Sequence, residues 1–179
     1  MACADVIDDA SWDALPEGVH RWLPEMSLPS YRYVPGRHPH PFRHRTGHAW
    51  CGGGPPEALR VASDWRQSLA WLRGVDLFNH RFLWEAHEVW EGGWHQHPRH
   101  SPESALLQGM IHAAAALLLT RLGRGGAAER QAAACTLRLE RAVSGGTTRG
   151  LLEPDRFAQR VAGAVRGEAW PYARLGAGG

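Results

Sequence analysis

The segment from Leu106 to Leu122 is apolar along nearly its whole length, interrupted by Gln108, Gly109 and His112. A helix that is apolar all round cannot face water, so this segment predicts a core helix enclosed by other elements. It falls short of the roughly 20 apolar residues needed to span a bilayer. Ser101-Pro-Glu-Ser104 ahead of it supplies a serine cap, proline at the first helical position and an acid in the first turn. Gly123-Arg-Gly-Gly126 behind it makes a turn.

The elements that would enclose this helix follow from spacing. Ala58, Ala62, Trp65, Leu69 and Leu72 recur every three or four residues and predict a helix from Glu57 that Gly74 ends. Asp76 then caps a second helix over about Leu77 to Trp94, which Gly92-Gly93 and Pro98 weaken and stop. Ala127 to Ser144 reads as a helix terminated by Gly145-Gly146, and Phe157, Val161 and Val165 mark a shorter last one. No alternating β-branched run competes, and short connections favour antiparallel neighbours. The expected fold is all-α: an up-and-down bundle of four to five helices.

Residues 1–56 differ from the rest. Pro16, Pro24, Pro29, Pro35, Pro39, Pro41, Pro55 and Pro56 fix φ and remove amide donors, which predicts an extended Pro/Gly/His-rich arm. The expected organisation is this arm, a bundle domain over residues 57–170, and a flexible tail over 171–179 that ends in Gly176-Ala-Gly-Gly179.

A formal net charge of +2 lacks the basic excess of a nucleic-acid binder, so no nucleic-acid partner is expected, and no membrane partner either. All 20 basic residues are arginine, consistent with a GC-rich genome. Cys3, Cys51 and Cys135 are too few and scattered for a disulfide framework and form no paired metal spacing. With an acidic N-terminus lacking a continuous apolar region, they fit a cytoplasmic protein.

The chemistry concentrates on the second helix. Wound at roughly 100° per residue, it places His80, Trp84, His87, Glu91 and Trp94 in one stripe, with Glu88 and His95 at its margin. His87 and Glu91, four apart, can meet over one turn and share a cation. His87-Glu88-Val-Trp-Glu91 has the geometry of the zinc-protease helix with glutamate in place of its second histidine. Carboxylates suit zinc and, better, iron or manganese, and Glu88 is then available as a general base toward a metal-bound water. The bland alternative is a hydrogen-bonded His-Glu pair that fixes helix register.

Two further histidines are candidate ligands. His112 interrupts the apolar helix four residues after Gln108 and could face the second helix. Arg37-His-Pro-His-Pro-Phe-Arg-His-Arg-Thr-Gly-His48 carries four histidines, all within the eleven residues from His38 to His48. Tyr31, Tyr33, Phe42 and Trp50 give the arm aromatic surface to fold back, placing His48 beside the His87/Glu91 stripe. His95, His97 and His100 are read as a solvated turn.

Phe78-Asn79, Phe82, Glu85-Ala-His-Glu88, Glu91, Trp94 and Leu107-Gln-Gly-Met-Ile111 together resemble the domain of unknown function 309 family, over about Leu72 to Val143. The resemblance implies a compact all-helical bundle and brings no established reaction. His87, Glu88, Glu91, Trp94 and Gln108 fall on its motif positions, while His112 stands where glutamine is common. The leading expectation is a protein binding a divalent metal (zinc, iron or manganese), a hydrolase or oxidase acting on a small molecule. The rivals are a non-enzymatic interaction module, for instance a homodimer, with a structural His/Glu/Trp cluster, and a haem or ligand sensor.

Overall fold

A computed structural model describes residues 12, 15–52 and 57–176. Cys3 and the acidic N-terminus, the Gly53-Gly-Pro-Pro56 part of the arm's closing segment and the terminal Ala177-Gly-Gly179 lie outside the described residues.

The described residues form five α-helices: α1 (Leu69–Asn79), α2 (Leu83–Trp94), α3 (Pro102–Arg121), α4 (Gly125–Ser144) and α5 (Pro154–Val165). There is no strand among the described residues, only an isolated antiparallel bridge between Leu151 and Leu175. The protein is an all-α bundle, with α3 packed against α2, α4 and α5. Ser101 caps α3 as its sequence dictates: its side chain accepts from the Ser104 amide, and Pro102 opens the helix. Although α3 is long and apolar enough to cross a membrane by length and composition, Leu106, Leu107, Met110 and Leu117 are buried in the bundle core. Close approach of α4 is permitted by Gly109, where a Cβ would lie 2.7 Å from Leu139 Cδ2.

The first half of the bundle differs from expectation. Residues 57–64 are not helical; a short 3-10 turn (Trp65–Gln67), capped by the Asp64 side chain, leads into α1. Gly74 does not end a helix but lies inside α1, where a Cβ would come within 2.0 Å of Trp90 Nε1. It is small because the indole of α2 occupies the space a side chain would need. Asp76 likewise caps nothing. It is fully buried within α1, and its carboxylate accepts from the Trp22 amide at 2.8 Å and the Leu23 amide at 2.9 Å.

The single helix expected over 77–94 is broken at 80–82. The Arg81 amide donates to Phe78 O and the Phe82 amide to Leu77 O, both at 2.9 Å. These are the two bonds of a Schellman ending, and Arg81 takes the left-handed position at φ 68° that glycine usually fills. His80 is therefore off the α2 stripe: it is buried at the end of α1, with Nδ1 2.7 Å from Asp76 O.

Described parts of the arm lie against the bundle. Besides the Asp76 contacts, Arg73 of α1 donates to Met26 O at 2.8 Å and Ser27 O at 2.6 Å, and Arg32 donates to His80 O at 3.0 Å. Residues 171–176 also pack on the bundle instead of forming a loose tail. The Asn79 side chain donates to Ala173 O and accepts from the Ala173 amide, at 2.9 and 2.8 Å, and Ala173 and Leu175 are buried.

Candidate functional site

Because α2 starts afresh at Leu83, the residues it presents are fixed by its own rotation. Ala86 and Trp90 enter the core, and Gly93 is buried too. The opposite side carries His87, Glu88 and Glu91, all half-buried, and their donor atoms lie within 4.8 Å of one another. His87 Nε2 and Glu91 Oε2 are 3.8 Å apart. That separation is too long for a hydrogen bond, so the two groups converge without satisfying each other.

Burial lowers the pKa of His87, with neighbouring His112 a minor addition; Glu91 and the Ile111 carbonyl of α3 oppose this. The imidazole is held toward its neutral, ligating form. Burial also raises Glu88 to about 7, helped by Glu91 and Glu85 and opposed by Arg43 of the arm. Two carboxylates and a neutral imidazole facing one point form a set of hard and borderline donors suited to a divalent cation.

Two clefts flank the cluster. The larger, about 760 Å³, runs between arm and bundle; Glu85, Glu88 and Glu91 border it, with Phe42, Leu77 and Trp84 among its apolar walls. The smaller, about 290 Å³, is bordered by His87 and Glu88 together with Leu118 of α3 and Leu122 just after its end. Glu88 thus stands between the two. Trp84 anchors the arm here, ringed by Tyr33, His40 and Phe42 at centroid distances of 4.9, 5.4 and 5.0 Å.

The other candidate ligands lie elsewhere. His48 comes to α2, but to Glu85: its Nε2 is 2.9 Å from Glu85 Oε1. His112 turns to α4, where its Nδ1 is 2.6 Å from Gln131 Oε1. Neither belongs to the three-residue cluster. Trp94 donates to Ser104 Oγ at 2.8 Å, tying the end of α2 to the start of α3.

Glu85 is the residue that spacing arguments passed over. It is 5% exposed, its Oε1 also accepts from the Tyr33 amide at 2.8 Å, and its Oε2 has no hydrogen-bond partner although buried. The signal was its place three residues before Glu88, which puts both carboxylates over the same turn.

No curated protein and no solved structure matches the chain. A family model does: residues 71–131, which include most of α1, all of α2 and α3 and with them the whole His87/Glu88/Glu91 cluster, match the family described as Domain of unknown function (DUF309).

Proposed function

We propose that this domain binds one divalent cation through His87, Glu88 and Glu91 and acts on a small molecule held in the adjoining larger cleft, by hydrolysis. The observation that carries this reading is the convergence of three donors within 4.8 Å without hydrogen bonds that would make them a self-contained network. A register-fixing His-Glu pair would close at hydrogen-bond distance; 3.8 Å leaves space for an ion between them. The Ile111 carbonyl facing the His87 ring is the kind of outer contact that fixes a ligating imidazole's tautomer and direction.

Three protein donors leave coordination positions for water and substrate, the arrangement of catalytic rather than closed structural sites. A divalent ion there would lower the pKa of a bound water and polarise a substrate oxygen. Glu88, between the two clefts, is placed to serve as the donor that faces both the ion and the larger cleft. The cleft's apolar walls of Phe42, Leu77 and Trp84, set beside polar groups such as Arg73, Glu57 and His95, suit a small organic substrate that carries polar substituents.

Metal analysis of protein purified without a polyhistidine tag tests the reading. It expects near-stoichiometric zinc, manganese or iron retained through gel filtration, or taken up on reconstitution. Protein that stays metal-free after reconstitution with each ion overturns it.

A further inference from the structure

A second recess, of about 420 Å³, lies where the end of α2 meets the start of α3 and the last turns of α4. We infer that it is a binding site for the phosphate group of a soluble, phosphorylated small molecule, distinct from the cation cluster. Arg99, Arg138 and Arg141 all border it, joined by His95, His100 and Gln108. Among the described residues, no carboxylate borders it.

The bundle's packing brings these groups together. Gly109 lets α4 approach α3 closely, which sets Arg138 beside Gln108, and Gly145, whose Cβ would lie 2.5 Å from Pro102 Cγ, brings the end of α4 onto the start of α3. Among the described residues, none of the three guanidinium groups has a carboxylate partner. Three arginines elsewhere do have local carboxylate partners: Arg66 with Asp64, Arg156 with Glu153 and Arg166 with Glu168. Glu103, the acid in the first turn of α3, acts on His97 and Arg149 and does not border the recess.

Three like charges around one concavity repel one another and focus a positive potential into it, so an anion entering the recess relieves that repulsion. Guanidinium forks match the paired oxygens of phosphate, and Gln108 adds a neutral donor. The Trp94 indole, its N–H engaged by Ser104, leaves a flat apolar wall for the organic part of the ligand. A recess of this volume admits a small molecule rather than a polymer backbone. The histidines at 95, 97 and 100, expected as a solvated turn, are here part of its rim.

The test is a titration of full-length, metal-free protein with pyrophosphate, followed by amide and indole NMR signals at constant ionic strength. Saturable shifts confined to residues 94–108 and 138–141 are expected. Arg138→Gln and Arg141→Gln should each weaken binding by about tenfold or more, the loss of one charge-assisted contact. Arg130→Gln, an equal change of charge at the exposed far end of α4, should leave it unchanged. His87→Ala should also leave it unchanged, which separates this site from the cation cluster. Non-saturating shifts spread over the surface, or equal weakening by Arg130→Gln, overturn the inference. So does binding to phosphatidic acid vesicles with no response to pyrophosphate.

Discussion

His48 Nε2 lies 2.9 Å from Glu85 Oε1, with both side chains more than nine-tenths buried, and through this contact the arm closes one wall of the larger cleft. The same carboxylate oxygen accepts from the Tyr33 amide, so one side chain fastens the arm at two points. Glu85→Ala should cost about 1–3 kcal/mol, leaving a buried amide and imidazole unpaired. Urea denaturation measures the loss, and faster proteolysis between residues 31 and 50 should accompany it. Unchanged stability would show that the arm is held without Glu85.

Asp76 performs the equivalent task at the other end of the arm. Its carboxylate takes two backbone amides, with Arg21 Nε at 3.7 Å beside it. Asp76→Ala removes two bonds to a charged acceptor, worth about 1.5–3 kcal/mol each. The expected result is a lower urea midpoint, with amide exchange at Trp22 and Leu23 accelerated before any in α3. Uniform acceleration throughout the bundle would contradict a local role.

Gly74→Ala should destabilise the protein by about 1–3 kcal/mol despite alanine's better helix propensity, because the methyl would collide with the Trp90 indole. Trp90 and Trp71 must then separate, which changes the tryptophan emission of the folded state. A stabilised variant would mean that the α1–α2 contact yields easily.

The elements read best from the sequence were those whose ends are coded locally. Ser101-Pro102, Gly123 and Gly145 delimit α3 and α4 by capping and turn chemistry that needs no distant partner. Gly74 and Asp76 mimic the same signals, yet they answer to Trp90 and to the arm's amides, contacts visible only in three dimensions. The break at Arg81 was hidden because a non-glycine residue fills its left-handed position. For the site, His87 and Glu91 were legible from a spacing within one helix. The partners of His48 and His112 were not, because Glu85 and Gln131 are far away along the chain.

The Glu88 carboxyl, pushed up to about 7 by burial and neighbouring acids, makes a signed prediction for the metal-free protein. Between the ordinary carboxylate range and about 7 the folded state holds a proton that the unfolded state has released. The Glu88 contribution to stability therefore falls as pH rises through this window and levels off above it, while His87, His40 and His97, whose pKa values burial lowers, contribute in the opposite sense. Glu88→Gln should flatten that part of the profile and be relatively more stable at pH 8 than at pH 5. A difference between wild type and Glu88→Gln that does not change between pH 5 and pH 8, or that changes in the opposite sense, would contradict the assignment.

Calorimetric titration of zinc and manganese into untagged protein and four variants tests the cation site most directly. One site is expected in the wild type, lost in His87→Ala and in Glu91→Gln while the helical circular dichroism is retained, since two remaining donors are too few to hold the ion. The same site is expected, with affinity within about twofold, in His48→Ala and His112→Ala, whose imidazoles are directed to Glu85 and Gln131. Binding that survives loss of His87 and Glu91, or that disappears with His48 or His112, would contradict the account.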